Sequence, residues 1–230
     1  LRKINRLIAI EVLRNINFKK IYFFEKVFKI LNIKKDIEID DFGFLFAPII
    51  NSAGRLNDPN FVVDLFTSNS QTLKDKLINK LIDLNEKRKL LEKNIIKKID
   101  LKKIKSDKKF LIILEINYIN EGIIGIIASK IKTYTNKPCI VITSSGNICK
   151  GSARSTKNFP IGKYIKSAID NKILVSGGGH NLAAGFTIKK KNLKKFKNFL
   201  YFFNKKFNNN NKNKFLSKIS FTSLNQKFLS

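Results

Sequence analysis

The segment with the clearest capacity for chemistry is Ser176–Gly185, whose sequence is SGGGHNLAAG. Three successive glycines, Gly177, Gly178 and Gly179, let a backbone approach a ligand closely and predict a loop whose N–H groups form an anion-binding nest. His180, the single histidine of the chain, follows directly and can donate a hydrogen bond to a phosphate oxygen. A flexible turn with an incidental surface histidine is the alternative, but the context GGGH-x-x-AAG favours an anion site.

A second candidate segment is Lys150–Ser155, with the sequence KGSARS, at the predicted end of a strand. Arg154 offers a planar fork suited to phosphate, and Ser152 and Ser155 next to it are neutral donors. Only six of the 46 basic residues are Arg, so an arginine here is more informative than a lysine. We take Gly151, Ser152, Arg154 and Ser155 as candidate site residues; an ordinary surface strand with polar ends is equally compatible.

The third candidate segment, Asn51–Leu56, again places a glycine beside one of the few arginines. Its polar composition, with Pro59 following, predicts a loop over residues 49–59. Asn51, Gly54 and Arg55 are therefore candidate substrate-binding residues. The alternative is a turn between helices with a solvated arginine.

Other chemistries lack the residues they need. The sequence contains no Cys/His pattern with zinc spacing, no Walker loop and no evident pair of nucleophile and base. The acidic pair Asp40–Asp41 precedes an apolar stretch ending at Pro48, which favours a helix cap over a metal site. The residues alone thus indicate an anion- or nucleic-acid-binding α/β module attached to a helical brace, with no metal ligands of its own.

The composition excludes several classes of protein. With 43% hydrophobic residues the chain is not disordered, and two cysteines cannot form a disulfide scaffold. No apolar run approaches the roughly 18 residues of a membrane span, and no signal-peptide pattern is present. The usual processing enzyme does not remove Met before a bulky residue, so a start at Leu1 predicts a fragment.

The formal net charge of +29 fits a polyanionic partner, but it is not specific. Lys, Ile, Asn and Phe crowd the sequence, and all four share A/T-rich codons. Genome composition therefore explains the bulk charge as well as DNA binding does. The few arginines carry the sharper information.

Hydrophobic spacing predicts the elements that position these residues. Two helices are expected over residues 1–32, and a long helix from Ser70 to about residue 105, with a domain boundary near Ser106. In the second half the spacing of apolar residues alternates between helix-like and strand-like segments, which predicts a compact α/β domain with a mixed sheet. Its expected strands are 110–114, 139–143, an antiparallel 148–155 and 186–188, and its expected helices are 120–134, 162–170 and 192–207.

The order of five motifs resembles the RecJ-type single-strand-specific DNA exonucleases of the DHH phosphoesterase superfamily. The motifs are NSAGRL from Asn51, LNEKR from Leu84, EGIIGIIAS from Glu121, GSARS from Gly151 and GGGHNLAAGF from Gly177. The resemblance implies the C-terminal part of a DHH domain at 1–69, a connecting helix at 70–105, a DHHA1 domain at 106–207, and a linker with the start of an OB-type domain at 208–230. Ile119 and Asn120 depart from the Trp and His usual in that family.

The resemblance also implies a function. The complete enzyme would hydrolyse phosphodiester bonds of single-stranded DNA in the 5′→3′ direction during repair and recombination, using Mn²⁺ or Mg²⁺ held by ligands upstream of residue 1. Arg154 and His180 would act at the cleaved phosphodiester, and Arg55 close to the substrate phosphate, while Asn51, Gly54, Gly151, Ser152, Ser155 and the three glycines 177–179 would contact substrate. This chain alone would bind DNA without cleaving it. It would be a monomer in the cytoplasm with no membrane association.

Two other functions fit parts of the pattern. A DHH/DHHA1 phosphoesterase acting on short oligonucleotides or a nucleoside bisphosphate shares the GSARS and GGGH motifs. A non-catalytic DHHA1 nucleic-acid-binding module would share them as well. The Asn51–Leu56 motif, the preceding helices and the expected OB-type tail favour the exonuclease.

Overall fold

The computed structural model describes residues 4–15, 17–107 and 109–204, and in them a helical half precedes a half built on a sheet. The predicted OB-type start at 208–230 lies outside the described residues. The helices are α1 (Ile4–Asn15), α2 (Tyr22–Ile30), α3 (Ile39–Asp41), α4 (Ala47–Leu56), α5 (Asn60–Thr67), α6 (Gln71–Lys97), α7 (Leu101–Ser106), α8 (Glu121–Thr135), α9 (Ile161–Asp170) and α10 (Leu193–Asn204). The strands are β1 (Ile112–Glu115), β2 (Cys139–Ser145), β3 (Ile148–Arg154), β4 (Ser176–His180) and β5 (Ala183–Lys189).

The predicted loop over residues 49–59 is wrong, because most of this segment is helix α4. A π-helical turn, Phe42–Phe46, joins α3 to α4. Pro48 does not end the helix, since it stands at the start of α4 directly after the π-helical turn, and the backbone stays helical through it. Ile49 and Ala53, one turn apart, are fully buried in the helical core, and this burial outweighs the loop-like composition.

The acidic pair at the start of this segment has a different capping role from the one predicted. Glu38, and not Asp40 or Asp41, is the N-cap residue of α3. Asp41 instead accepts a hydrogen bond from the Glu38 N–H at 2.8 Å, which completes a reciprocal capping box. The pair thus marks a helix start, but the chain enters the helix before it.

The predicted long helix is present as α6, with 27 residues. Ser70 caps it by accepting a hydrogen bond from the Leu73 N–H at 3.3 Å. It ends at Lys97, and the short α7 follows, so the single helix expected to residue 105 is two helices. At 1.5 Å per residue α6 is about 40 Å long, and it packs against α4 in the helical half and α8 in the second half.

The sheet is mixed, as predicted, with strand order β1-β2-β3-β5-β4. β1 and β2 are parallel, and the other neighbouring pairs are antiparallel. The predicted glycine loop is instead the edge strand β4, and the Ala-rich segment after it opens β5. Glycine is needed in β4 for close packing, because a methyl group at Gly177 would lie 2.8 Å from the Gly185 carbonyl oxygen and 3.1 Å from Ile165 of α9.

The sheet register separates a covered face from an open one. Cys149, Ala153, Phe186 and other alternate residues of β3 and β5 are buried in a core with α9 and α10. On the opposite face, α8 covers β1 and β2 through a core that includes Val141. Side chains of β3 that point to this second face, such as Ser152, are less buried. We call the second face of β3, β5 and β4 the open face.

Candidate anion-binding site

A cleft of about 690 Å³ lies where the end of α4, the start of α8 and the sheet meet. Its walls come from segments far apart in sequence, including Arg55, Asn120, Gly122, Lys150, Ser152 and Gly185. Residues from all three predicted candidate segments therefore line a single cavity, whereas Arg154, Gly178 and His180 are not among its lining residues.

Arg55 is fixed against the first turn of α8. Its Nη1 donates a hydrogen bond to the Gly122 carbonyl oxygen at 2.9 Å. A methyl group at Gly122 would lie 2.7 Å from the Arg55 Cα, so glycine is required for α4 and α8 to approach this closely. Asn51 is exposed one helical turn before Arg55, on the same side of α4, and Gly54 lines the cleft.

Arg154 belongs to β3, and its guanidinium lies beside α8 about one helical turn beyond that of Arg55. Its Nη1 donates to the Ala153 carbonyl oxygen at 2.8 Å and to the Ser152 hydroxyl at 3.2 Å. A methyl group at Gly125 would lie 3.1 Å from Arg154 Nη2. Since Gly122 and Gly125 are three residues apart, the two guanidinium groups lie in succession beside the start of α8.

These two arginines are half-buried and mutually repulsive. Burial lowers the pKa of Arg55, and the nearby Arg88 lowers it further, while Glu92 opposes the change. Burial also lowers the pKa of Arg154, with Arg55 as the second cause. No ion pair in the described part of the chain joins either guanidinium to a carboxylate. An anion bound beside the start of α8, in contact with Arg55 in the cleft and with Arg154 on the adjoining open face, would relieve this unfavourable arrangement.

The start of α8 adds further positive potential. Asn120 is its N-cap residue, with Oδ1 accepting from the Gly122 N–H at 2.8 Å. Asparagine is well suited to capping at this position. The helix dipole places partial positive charge at the same end as Arg55.

On the open face, β4 and β5 expose backbone without side chains at Gly178 and Gly185, a pair that we call the glycine floor. Gly178 of β4 pairs directly with Gly185 of β5. A methyl group at Gly178 would meet no atom within 4 Å, and one at Gly185 would meet only the Gly151 carbonyl oxygen, at 3.9 Å. Neither glycine has a left-handed φ. Packing within the described chain does not require glycine at these two positions, whereas a ligand lying on the strands would.

His180 lies in the same row of the sheet as Arg154. Both pair with Ala183, one from β4 and one from β3, so their side chains share the open face. The His180 ring is exposed, and Nδ1 accepts a hydrogen bond from the Leu182 N–H at 3.2 Å. This bond places the proton of the neutral ring on Nε2, which can then donate to a ligand.

The structure does not bring every predicted residue to the open face. Ser155 is 3% exposed, and its hydroxyl donates to the Phe159 carbonyl oxygen. Gly151 packs over the Phe186 ring on the covered face, where a methyl group would collide with that ring. Gly177 and Gly179 also point to the covered face, and a methyl group at Gly179 would lie 2.7 Å from the Ala184 Cβ.

Sequence reasoning included Asn85 and Arg88 in the LNEKR motif but missed Glu92 and the charged network that these residues form behind Arg55. Glu92 of α6 is 3% exposed, and its Oε2 accepts from Arg88 Nη1 at 3.0 Å. Arg88 Nη2 also donates to Asn85 at 3.0 Å, and Lys130 of α8 pairs with the other Glu92 oxygen. Asn85, Arg88 and Glu92 share one face of α6 at spacings of three and four, interrupting its apolar stripe, and that interruption could have identified them.

The described residues provide no metal centre. Across residues 4–15, 17–107 and 109–204, no three His, Cys, Asp or Glu side chains are grouped so that they could hold a metal ion. Over the same residues, no helix has the length and apolar character needed to cross a membrane.

Known proteins with related sequences and structures identify the family. Residues 108–209 match the DHHA1 domain family. The chain is 32% identical over 151 residues to the single-stranded-DNA-specific exonuclease RecJ of Bacillus subtilis, and 32% identical over 176 residues to that of Haemophilus influenzae. These alignments cover 64% and 71% of this chain, but only 19% and 29% of the two relatives.

The crystal structure of RecJ from Thermus thermophilus with Mn²⁺ is similar to 89% of this chain, with a TM-score of 0.75 at 25% identity. The shared region is 30% of that chain. The second half of the present fold is therefore a DHHA1 domain. Over most of its length the chain resembles the RecJ-type exonucleases in sequence and fold, as its sequence motifs predict, and it spans less than a third of the length of these relatives.

Proposed function

We propose that this chain is part of a RecJ-type single-stranded-DNA-specific 5′→3′ exonuclease of DNA repair and recombination, and that it binds the phosphate backbone of the strand. The observation that carries this proposal is the pair of half-buried guanidinium groups, Arg55 and Arg154, without a carboxylate partner among the described residues. Two such groups beside a helix N-terminus and a bare glycine floor form a site for a polyanion.

The proposed roles follow from the geometry. Arg154 and His180, in one row of the open face, would contact the phosphate at the cleaved bond and stabilise its developing charge. Arg55 would bind a neighbouring phosphate from across the cleft. Ser152, which accepts from Arg154, fixes the direction of its guanidinium. Asn51 would bind the strand along the exposed side of α4.

The site lacks what hydrolysis itself requires. The related Thermus structures contain Mn²⁺ or Mg²⁺, ions that generate hydroxide from bound water. The described residues do not fit such a centre. We propose that its ligands lie in a part of the enzyme outside this chain, so that the chain alone binds the strand and does not cut it.

Further proposals concern organisation. We propose that residues 1–69 form the end of a DHH domain, that 70–105 connect it to a DHHA1 domain at 106–207, and that 208–230 form a linker and the start of an OB-type domain. We also propose that the protein is monomeric and cytoplasmic.

The test is single-strand binding by the purified chain, followed by fluorescence anisotropy of a labelled oligothymidine. Binding should weaken with salt, exceed that of a duplex of equal charge, and occur without cleavage when Mn²⁺ is added. Arg154→Ala should weaken binding about 30-fold, which corresponds to about 2 kcal/mol for a charge-assisted bond.

Arg14→Ala is the matched control, because it removes one arginine charge from the exposed surface of α1. If Arg14→Ala and Arg154→Ala lose the same affinity for oligothymidine, binding depends only on net charge, and Arg154 is not part of the site. Efficient cleavage by the chain with Mn²⁺ would show that a metal site is present in it after all.

A further inference from the structure

Tyr118 is an exposed aromatic residue in an unfavourable backbone conformation. It is 91% exposed, the highest value among the large hydrophobic side chains of the described residues. Its φ of 59° lies in the left-handed region, which costs a non-glycine residue energy unless the surrounding structure enforces it. A glycine or asparagine would occupy this position with less strain, so folding alone does not account for a tyrosine here.

The turn that carries Tyr118 is anchored on both sides. Before it, the Ile116 N–H donates to the Ile142 carbonyl oxygen at 2.9 Å. After it, the Thr143 hydroxyl donates to the Ile119 carbonyl oxygen at 2.9 Å. A further bond from the Ser144 hydroxyl to the Asn117 side chain, 2.7 Å long, holds the tip. The turn is therefore fixed to β2, and it holds the Tyr118 ring out in solvent.

The turn that carries Tyr118 adjoins the anion-binding cleft. Asn120, two residues after Tyr118, lines the cleft, and two residues of chain span at most about 7 Å. A second route gives the same placement, because Thr143 pairs with Lys150 across β2 and β3, and Lys150 also lines the cleft. The turn with the exposed ring and the proposed phosphate-binding surface are thus neighbours.

We propose that Tyr118 is a stacking platform for one base of the strand whose phosphates occupy the cleft, an inference that rests on the proposed function. A base has a flat apolar face, and stacking on an aromatic ring is independent of base identity. In a duplex the bases are stacked on one another and unavailable. Tyr118 therefore contributes to the preference for single strands, while Arg55 and Arg154 contribute charge-dependent affinity for any strand.

The chain contains no tryptophan, which makes Tyr118→Trp a single-site fluorescent reporter. The variant is titrated with oligothymidine and with a strand of equal length and charge that has abasic sites in place of bases. We expect oligothymidine to quench the tryptophan and the abasic strand to leave it unchanged. Tyr118→Ala should weaken oligothymidine binding roughly 5- to 150-fold, the range for loss of one base stack. It should not change binding of the abasic strand, and Tyr118→Phe should bind like the parent.

Tyr134→Ala is the matched control, since Tyr134 is a partly exposed tyrosine near the far end of α8. If Tyr118→Ala binds oligothymidine as tightly as the parent does, or loses equal affinity for both strands, the stacking inference is wrong while strand binding stands. If the parent binds neither strand, the proposed function fails, and the inference fails with it. If Tyr118 instead binds a protein partner, and Tyr118→Ala leaves the affinity for both strands unchanged, the stacking inference is likewise wrong.

Discussion

Replacing Glu92 with leucine tests whether this buried acid is the counter-charge of the cation cluster behind the cleft. The Glu92 side chain is 4% exposed, and that of its partner Arg88 is 12% exposed. Removing one member of a buried ion pair generally costs about 3–5 kcal/mol, because the other charge stays buried without compensation. Arg88 keeps its bond to Asn85 and some contact with water, so we expect the lower value, about 3 kcal/mol.

Urea and thermal unfolding followed by circular dichroism measure this effect. For a chain of this size, about 3 kcal/mol lowers the melting temperature by roughly 6–12 °C. Glu86→Leu is the matched control on the same helix, because Glu86 pairs with Lys89 at 2.8 Å and both side chains are more than half exposed. An exposed pair contributes about 0–1 kcal/mol, so the control should be nearly unchanged.

A double-mutant cycle with Arg88→Met then separates the pair from packing effects. If the charges stabilise each other, the variant carrying both changes should lose less free energy of unfolding than the two single changes summed. Additive losses, or a Glu92→Leu variant as stable as Glu86→Leu, would refute the reasoning that Glu92 balances the buried cations.

Two further predictions concern the glycine floor and the cysteines. Gly178→Ala and Gly185→Ala should leave the free energy of unfolding within about 1 kcal/mol of the parent and yet weaken oligothymidine binding, whereas Gly177→Ala should lower stability. Unweakened binding by both floor variants in the anisotropy assay would show that the strand does not lie there. Burial raises the pKa of Cys139 to about 12 and also raises that of Cys149. Neither thiol should therefore react with Ellman's reagent at about pH 8 until denaturant is added, and rapid labelling of the folded chain would contradict this.

Much of the fold could be predicted because apolar spacing marks its long helices. This spacing predicted helices starting at Ser70 and at residue 120, and in the structure Ser70 and Asn120 are the N-cap residues of α6 and α8. The prediction of secondary structure was wrong where it used amino-acid composition alone. Polar and small residues over 49–59 predicted a loop, although Ile49 and Ala53 share a buried helix face. Tertiary burial outweighs local composition in such a segment.

The candidate site was predictable as a set of residues and not as an arrangement. Arg55 and Arg154 were selected because arginine is scarce and stands beside glycine or serine. Their common position along α8 depends on the register of β3 and on the close approach at Gly122, which are long-range features. Glu92 was missed for the same reason, since its partners Arg88 and Lys130 meet only when α6 packs against α8.

The run of three glycines shows how the sheet separates structural from functional requirements. In a strand, alternate residues point to opposite faces, so Gly177 and Gly179 share the covered face while Gly178 points to the open one. The first two leave room for Phe186 and Ala184, and Gly179 also has a φ of 154° that favours glycine, so the fold itself accounts for both. Gly178 meets nothing in the described chain, and it pairs with Gly185, which is equally unconstrained. An uninterrupted GGG sequence hides this difference, whereas the pleat of the strand leaves only the middle glycine facing the proposed ligand. On the proposed function, the glycine-rich strand therefore has two physical reasons: tight packing on the covered face and close approach of a nucleic-acid strand on the open face.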